Sequence, residues 1–243
     1  MITLTAGEIG LLVGGEMHCD KDLLVSKAPV FDSRKATPGC IFLALQGEVV
    51  DGHDYAADAY RAGAMFSLTT KRIDGPCIVV EDVIDALSIL ATFVRKRLTN
   101  LTVIGITGSQ GKTSTKDLMS HMLSAVGPTV SPAGSFNNDL GLPITLLECD
   151  EKTSFCILEM GARHTGDIAR LCSIAQPNIG VVLTVGTAHL GEFGSVEAIA
   201  RTKSELIQGL NADGIAVLGN YDSYTPAMAS LHSGRTIKFG AGC

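Results

Sequence analysis

A glycine-rich stretch near the middle of the chain carries residue types suited to binding phosphate. It reads Val103-Ile-Gly-Ile-Thr-Gly-Ser-Gln-Gly-Lys-Thr-Ser114, an apolar segment followed by a turn that ends in Gly-Lys-Thr. Backbone N–H groups in such a turn can surround an oxyanion, and the positive end of the following helix dipole adds to the attraction. Lys112 offers a point charge, and Thr113 offers a hydroxyl to a magnesium ion. The predicted nucleoside triphosphate site consists of Gly108, Ser109, Gln110, Gly111, Lys112, Thr113 and Ser114.

The spacing of this stretch differs from the common form G-x-x-x-x-G-K-[ST], which would place a glycine where the chain has Ile106. It fits a shorter form, T-G-x-x-G-K-T, that begins at Thr107. The alternative is an ordinary loop followed by an exposed lysine at a helix start. The surrounding elements favour the phosphate site.

Three polar residues further along follow apolar segments, where strand ends are expected. Glu159 closes one such segment, and a carboxylate there could bind magnesium opposite the phosphate loop. His189 follows the next segment, and Lys203 lies on the helix after it. Taken singly, they would be a solvated carboxylate, a loop or core histidine and an exposed lysine. Their placement after successive strands favours one shared site.

Two adjacent asparagines lie between the phosphate loop and Glu159. Asn137 and Asn138 stand between Pro132-Ala-Gly-Ser-Phe136 and Asp139-Leu-Gly-Leu-Pro143. Side-chain amides in a turn commonly cap or close it, and polar contacts to a substrate are the alternative. The residues alone leave both interpretations open.

The elements that must hold these residues alternate between strand and helix from residue 101 onward. Apolar strands separated by helices indicate a parallel sheet covered on both faces, with ligands at the carboxyl ends of its strands. The predicted strands are 101–107, 155–160, 178–184, 214–218 and 236–239, and the predicted helices are 112–125, 166–173 and 195–209.

Residues 1–99 have the pattern of a smaller α/β domain. Short apolar strands at 40–45, 64–68 and 77–80 alternate with helices at 54–62 and 85–98. The last helix ends in Arg95-Lys-Arg97, a cationic bias that suits a helix C-terminus. We therefore predict domains at 1–99 and 100–243.

Composition limits the class of protein. The 243 residues, 46% hydrophobic and 18% charged, suit a folded protein of two domains. A net charge of −6 argues against a protein that coats nucleic acid. No basic leader precedes Lys21, and no apolar run reaches the roughly 18 residues of a membrane span, so we expect a soluble cytoplasmic protein. Seven cysteines without a C-x-x-C pair indicate free thiols.

Five ordered segments together resemble the Mur ligases, the ATP-dependent amide ligases of bacterial peptidoglycan synthesis. The resemblance covers nearly the whole chain. The segments are Asp32-Ser-Arg-Lys-Ala-Thr-Pro-Gly-Cys-Ile-Phe-Leu-Ala-Leu-Gln-Gly47 with Asp51-Gly-His-Asp-Tyr55, the loop 107–114, Ser135-Phe-Asn-Asn-Asp-Leu-Gly-Leu-Pro143, Glu159-Met-Gly-Ala-Arg-His-Thr-Gly-Asp-Ile168, and Ala188-His-Leu-Gly-Glu-Phe-Gly-Ser195 leading to Lys203-Ser-Glu205.

The resemblance implies ATP and Mg²⁺ as ligands and gives roles to the residues around them. Lys112 and Thr113 would hold the phosphates and one magnesium ion. Glu159 and His189 would ligate magnesium, and Lys203 would be carbamoylated beside the metal. The implied catalytic residues are Lys112, His189 and Lys203, and the implied metal site comprises Thr113, Glu159, His189 and Lys203.

The resemblance also implies a different function for each domain. Residues 1–99 would bind the UDP-N-acetylmuramoyl-peptide, with Ser33 and Arg34 in the motif that contacts uridine diphosphate and substrate. Residues 100–243 would form part of the central ATP-binding domain. The positions implied to line the substrate are Asn137, Asn138, Arg163 and His164.

The implied reaction adds D-alanyl-D-alanine to UDP-N-acetylmuramoyl-tripeptide. ATP would phosphorylate the terminal carboxylate of the tripeptide, and the amino group of D-alanyl-D-alanine would attack the resulting acyl phosphate. One alternative is the sibling ligase that adds the third amino acid to UDP-N-acetylmuramoyl-dipeptide. The other is a non-catalytic module that binds a nucleotide sugar.

The chain differs from the family pattern in two places and in length. It has Thr184-Val-Gly where Asn-Ile-Gly is usual, and Gly191-Glu192 in the reverse of the usual order. It ends at Cys243, before the family's His-Asn segment and the C-terminal domain that binds the incoming amino compound. We therefore expect a monomer that retains much of both sites but does not ligate by itself.

Overall fold

The computed structural model describes residues 1–188 and 190–243, which divide into two compact units. Unit 1 comprises residues 1–97 with 147–150, and unit 2 comprises residues 98–146 and 151–243. The predicted assignment of the domains to UDP-sugar and ATP binding stays a prediction. Within the described ranges, no helix is both long and apolar enough to cross a membrane.

Unit 1 is built on a four-stranded sheet with the order β2-β6-β5-β4, in which only the β2–β6 pair is antiparallel. β1 and β3 form a separate antiparallel pair. Its elements are β1 (Leu4–Thr5), α1 (Ala6–Val13), β2 (Glu16–His18), β3 (Leu24–Val25), a 3₁₀ helix (Ser33–Lys35), β4 (Ile41–Leu43), a 3₁₀ helix (Gly52–Tyr55), α2 (Ala56–Ala62), β5 (Phe66–Thr69), β6 (Cys77–Val79) and α3 (Val83–Arg97).

Helix α1 was not among the predicted elements, although its start has a recognisable sequence. The Thr5 hydroxyl accepts a hydrogen bond from Glu8 N at 3.1 Å, and Thr5 N donates to Glu8 Oε2 at 2.8 Å. This reciprocal capping box satisfies two backbone N–H groups at the helix start. The Thr-x-x-Glu spacing was therefore an available signal for this helix.

Unit 2 contains a six-stranded, fully parallel sheet with the order β12-β11-β10-β7-β9-β8. This confirms the predicted α/β class. Its elements are β7 (Thr102–Thr107), α4 (Lys112–Ser124), β8 (Thr129–Val130), α5 (Gly141–Leu147), β9 (Phe155–Glu159), α6 (Asp167–Ala175), β10 (Ile179–Val182), α7 (Leu190–Phe193), α8 (Val196–Gln208), β11 (Ile215–Gly219), a 3₁₀ helix (Pro226–Leu231) and β12 (Arg235–Phe239).

Strand β7 lies where the order of the sheet changes direction. The chain leaves β7 for β8 and β9 on one side and then passes to β10 and β11 on the other side. In an open parallel sheet, loops at the carboxyl ends separate at such a point and leave a crevice for ligands. The loops after β7, β9 and β10 therefore meet at one edge, although their residues lie far apart in sequence.

Alternate residues of the central strands face different helices. Ile104 and Ile106 lie in the core cluster against which Met119 of α4 packs. On the other face, Gly105 of β7 pairs directly with Gly180 of β10. A Cβ at Gly105 would lie 3.0 Å from Leu206 Cδ1, and one at Gly180 would lie 3.2 Å from Leu206 Cγ. The two glycines thus form a hollow that seats α8.

We expect Gly180→Val to lower the free energy of unfolding by about 1–3 kcal/mol, because the added side chain overpacks the contact with Leu206. Urea denaturation measures this change. Gly191→Val is the matched control, since a Cβ there meets no heavy atom of the described residues within 4 Å. Equal stability of the two variants would contradict the seating of α8 on the paired glycines.

Candidate nucleotide and acyl site

The predicted phosphate loop joins β7 to α4 as expected. Gly111 precedes the helix with φ +83°, a left-handed conformation that glycine adopts without strain. Lys112 Nζ donates to the Gly108 carbonyl at 2.8 Å, so the ammonium lies over its own loop. Burial lowers the pKa of Lys112, and the nearby Glu159 carboxylate opposes that shift. The arrangement provides a positive charge beside the first helical turn.

Ser109 connects this loop to the loop that follows β10. Its backbone N–H donates to Thr184 O at 2.9 Å, and its hydroxyl accepts from Gly186 N at 2.8 Å. The side chain and the backbone N–H of Ser109 therefore both bind the loop that follows β10. The phosphate loop is held from the β10 side as well as by its own helix.

Asp222, which was not predicted as a site residue, also binds the loop that follows β10. Its Oδ2 accepts from Thr184 Oγ1 at 3.0 Å and from Val185 N at 2.9 Å. Oδ1 accepts from the backbone of Tyr224 and Thr225. Partial burial tends to raise the pKa of this carboxyl, but the hydrogen bonds outweigh that effect and leave the pKa below its usual value. The Thr184 side chain is thus satisfied by a carboxylate.

Glu159, at the end of β9, is fully buried, which contradicts the alternative of a solvated strand-end carboxylate. Its Oε2 accepts from Thr113 Oγ1 at 3.4 Å. Within the described residues, Oε1 has no hydrogen-bond partner. Burying a carboxylate oxygen without a partner is costly. The site therefore holds a buried negative group directed at the start of α4.

Ser135 adds a second hydroxyl at this point, and the sequence interpretation did not single it out. Its Oγ lies 3.3 Å from Thr113 Oγ1. Ser135 belongs to the Ser-Phe-Asn-Asn segment, so proximity to the asparagines was the only signal available. Hydroxyl and carboxylate oxygens from three separate segments converge here.

Lys203, on α8, is only 7% exposed, so the alternative of an exposed helical lysine is wrong. Burial lowers the pKa of its ammonium to about 8, and the positive charge of Lys112 contributes to the shift. At mildly alkaline pH, a substantial fraction of the Lys203 side chain is therefore neutral. That fraction can act as a nucleophile, which a fully charged lysine cannot.

We expect the pKa of Lys203 to appear as a pH dependence of stability. Between pH 8 and 10.5 the unfolded chain keeps the Lys203 proton and the folded chain loses it, so stability rises with pH. Relative to Lys203→Met, the free energy of unfolding should rise by up to about 3 kcal/mol over this window. Denaturant titrations in metal-free and carbonate-free buffer measure the difference. Lys238→Met should parallel the wild type, and parallel curves for Lys203→Met would contradict the buried charge.

Asn137 and Asn138 have different environments. Asn138 Oδ1 accepts from Gly141 N at 2.9 Å and from Leu140 N at 3.3 Å, which is the predicted turn-closing alternative. Asn137 O accepts from Gly161 N at 2.9 Å, and a Cβ at Gly161 would lie 2.9 Å from Asn137 Oδ1. The absence of a side chain at Gly161 lets the Asn137 amide approach the end of β9.

Arg163 and His164 lie in the loop after β9, where Asp167 fixes the backbone. Both of their N–H groups donate to Asp167 Oδ2 at 2.8 Å. The His164 side chain is 80% exposed.

Glu205 accepts from Gly166 N at 2.7 Å and from Ala169 N at 2.9 Å. Glu205, which the sequence placed beside Lys203, thus holds the start of α6.

Two adjoining cavities collect most of these side chains. A cavity of about 310 Å³ is lined by residues 111–114, Ser135, Asn137 and Glu159. A cavity of about 530 Å³ is lined by Lys112, Asn137, Asn138, Asp139, Gly161, Ala162, Arg163, His164, Asp167, Leu171 and Lys203. Lys112 and Asn137 line both, so the cavities share a boundary. The first suits phosphates and a cation, and the second suits an anionic acyl group.

Two predicted residues lie in unit 1. Ser33 is buried in a 3₁₀ helix, and the side chain of Arg34 is exposed. Arg34 donates to Asp32 Oδ1 from Nε at 2.9 Å and to Oδ2 from Nη2 at 2.8 Å. This bidentate pair fixes the guanidinium near the surface of the unit.

His189 lies outside the described residues. Within the described ranges, no three side chains of histidine, cysteine, aspartate or glutamate cluster to hold a metal ion. The predicted metal role of His189 stays a prediction.

Comparison with known proteins gives consistent family assignments. The sequence pattern of the Mur ligase middle domain matches residues 106–242, and that of the Mur ligase family catalytic domain matches residues 30–94. The UDP-N-acetylmuramoyl-tripeptide--D-alanyl-D-alanine ligase of Mycobacterium bovis is 46% identical to the chain, over 98% of this chain and 52% of its own length. The chain spans about half the length of the curated relatives it matches.

Solved structures of such ligases share the fold. Crystal structure I of MurF from Acinetobacter baumannii matches with a TM-score of 0.88 and 35% identity, over 99% of this chain and 54% of that one. MurF ligase from Thermotoga maritima in complex with ADP matches with a TM-score of 0.78 and 34% identity, over 92% and 52%. Because the middle-domain pattern covers more than half of its residues, the chain belongs to the Mur ligase family.

Proposed function

We propose that this chain carries the UDP-sugar and ATP sites of an ATP-dependent amide ligase that adds D-alanyl-D-alanine to UDP-N-acetylmuramoyl-tripeptide. The observation that carries the proposal is the buried Glu159 carboxylate, which has one oxygen without a partner among the described residues, beside a phosphate loop and next to a second polar cavity. The names of the similar proteins support the choice of substrates.

The smaller cavity is the proposed site of the ATP phosphates. The Lys112 ammonium would leave the Gly108 carbonyl and bind a phosphate oxygen, since a hydrogen bond between opposite charges is stronger than one to a neutral carbonyl. N–H groups of residues 111–114 lie in the first turn of α4, where the helix offers them no intrahelical partners. ADP in the similar Thermotoga maritima protein supports a nucleotide at this loop.

The residues around Glu159 fit a magnesium ion. Magnesium prefers hard oxygen ligands, and hydroxyl and carboxylate oxygens converge here from Thr113, Ser135 and Glu159. Such a cation would give Glu159 Oε1 the partner that it lacks in the part of the chain that the structure describes. Bound there, magnesium would neutralise charge that develops on the transferring phosphoryl group. His189, named by the family resemblance, is the proposed ligand from the β10 loop.

The larger cavity is the proposed site of the carboxylate that becomes phosphorylated. Its lining includes four basic side chains, those of Lys112, Arg163, His164 and Lys203, beside the Asn137 amide and the carboxylates of Asp139 and Asp167. Lys112 lines both cavities, so one ammonium can contact the transferring phosphoryl group and the oxygen that receives it.

Lys203 is proposed to carry a carbamate. Its lowered pKa increases the neutral amine that can add to CO2, forming one N–C bond and releasing one proton. The product is an anion. Its charge would replace the repulsion between Lys203 and Lys112 with attraction.

The chemistry follows in two steps. A tripeptide carboxylate oxygen attacks the γ-phosphorus of ATP, which releases ADP and leaves an acyl phosphate. The amine of D-alanyl-D-alanine then attacks the acyl carbon, and the C–O bond to phosphate breaks. The amine loses a proton as the amide forms. The chain's contribution is to position both reactants and stabilise negative charge.

Unit 1 is the proposed UDP-sugar domain, with Ser33 and Arg34 as contacts to the uridine diphosphate. Arg34 can exchange its bidentate contact with Asp32 for a phosphate, since both anions match the guanidinium fork. A reducing cytoplasm, in which cysteines remain thiols, is the proposed location.

Calorimetric titration with UDP-N-acetylmuramoyl-tripeptide tests the proposal, beside the dipeptide form and UMP, with and without magnesium and a non-hydrolysable ATP analogue. We expect preference for the tripeptide and magnesium-dependent binding of the analogue. Preference for the dipeptide would assign the sibling ligase. Tripeptide binding without any analogue binding would leave a nucleotide-sugar module.

A further inference from the structure

The segment 131–137 forms one wall of the smaller cavity without belonging to a helix or strand. It brings Ser135 to within 3.3 Å of Thr113 Oγ1 and presents the Asn137 carbonyl to Gly161 N. Irregular backbone has no ladder of its own hydrogen bonds to fix it. Other groups must therefore determine the position of Ser135.

Lys116 of α4 supplies those contacts. Its Nζ donates to Pro132 O at 2.7 Å and lies 3.4 Å from Gly134 O. The ammonium also lies 2.8 Å from Asp117 Oδ1. The side chain is only 3% exposed, which is unusual for lysine.

The three donors of an ammonium match these three acceptors. Removal of the ammonium would leave the carbonyl of the buried Pro132 without that donor, and water has little access to replace it. It would also release the carbonyl of Gly134, an exposed residue next to Ser135. A second contact, between Ser120 and Ser131 at 2.9 Å, joins the helix to the start of the segment but does not reach Ser135. Lys116 thus holds the part of the segment nearest the cavity.

We propose that Lys116 is a positioning residue that holds the segment 131–137 against α4 and thereby sets Ser135 beside Thr113 in the nucleotide site. The proposal rests on the proposed function for its consequence in nucleotide binding. Its structural part, the restraint of the segment, does not depend on any ligand.

Backbone ¹⁵N relaxation of Lys116→Met without ligand tests the restraint. We expect the order parameters of residues 133–137 to fall from the rigid range of about 0.85 towards the flexible range of about 0.6 or lower, while β7 and β9 keep rigid values. Lys238→Met, an exposed lysine changed to the same residue, should match the wild type. Unchanged order parameters at 133–137 would overturn the proposal. If Lys116→Met fails to fold, Lys116→Gln, which keeps one donor group, decides by the same criterion.

Binding of ADP in the presence of magnesium tests the consequence. We expect Lys116→Met to weaken binding about tenfold or more. Ser135→Ala should weaken binding in the wild type but have little further effect in Lys116→Met, because the hydroxyl is already displaced. Independent, multiplicative effects would overturn the proposal. If the wild type does not bind ADP, the proposed function fails, and the ¹⁵N relaxation measurement still decides whether Lys116 restrains the segment.

Discussion

Glu159→Gln is expected to weaken magnesium-dependent binding of ADP by about 100-fold or more. Loss of a group that merely orients a metal ligand commonly costs 10–100-fold in metal affinity, so loss of a ligand should cost at least as much. Glutamine keeps the shape but removes the charge that a divalent cation requires. Because Oε1 has no hydrogen bond to lose within the described residues, the free protein should keep its stability within about 1 kcal/mol. Calorimetry with and without magnesium measures the first effect, and urea denaturation measures the second.

Glu151→Gln is the matched control, because Glu151 is exposed and lies outside both cavities. It should bind ADP as the wild type does. A Glu159→Gln protein that binds ADP equally well with magnesium would exclude Glu159 as a ligand. A large loss of stability with normal binding would instead make Glu159 a structural residue.

Asp222→Asn is expected to lower the free energy of unfolding by roughly 3–5 kcal/mol, since hydrogen bonds to a charged acceptor contribute about 1.5–3 kcal/mol each and several are lost together. Both carboxylate oxygens accept from N–H or O–H groups. An asparagine side chain has one acceptor oxygen, and its NH₂ group would face the N–H and O–H groups that donate to the second carboxylate oxygen. Denaturant titration measures the change, with the exposed Asp213→Asn as control.

The same carboxylate predicts the direction of a pH effect. The pKa of Asp222 is lower in the folded chain than its usual 3.8, so the unfolded chain takes up its proton first as the pH falls. Asp222 therefore makes its full contribution to the free energy of unfolding above pH 3.8, and this contribution is lost as the pH falls through the pKa of the folded chain. The difference between wild type and Asp222→Asn should shrink on acidification, and a constant difference from pH 7 to pH 3 would contradict this role.

Asp222 also explains how a departure from the family pattern is accommodated. Thr184 stands where the family usually has asparagine, and its hydroxyl donates to Asp222. The loop then reaches Ser109 of the phosphate loop through the Thr184 carbonyl and Gly186 N. Asp222 lies in the segment after β11, which carried no motif in the sequence.

Several features could be predicted because their determinants are contiguous in the chain. The strand, turn and helix of 102–124 follow from an apolar run, glycines and a helix-forming segment that lie next to one another. The parallel sheet follows from regular alternation of such units, since parallel strands need a crossover between them. The carboxyl ends of β7, β9 and β10 must then share one edge of the sheet. This shared edge predicts that Glu159 lies beside the phosphate loop.

Other features depend on partners that the sequence does not pair. Lys203 and Glu159 had plausible exposed alternatives, but both are buried, Lys203 on α8, which packs over Gly105 and Gly180, and Glu159 at the end of β9. Lys116 belongs to no predicted site, and its ammonium is buried against the segment 131–137. Burial and charge pairing are properties of the whole arrangement, because each depends on groups brought together from distant positions.

The fold class, the phosphate loop and the family could be predicted from the chain, because each is encoded in local order and in contiguous motifs. The tertiary structure was needed to show that Glu159 buries an oxygen with no partner among the described residues, that Lys112 borders two cavities, and that Asp222 and Lys116 hold the loops around them. The energy of a charge depends on the solvent and partners around it, and folding supplies those surroundings.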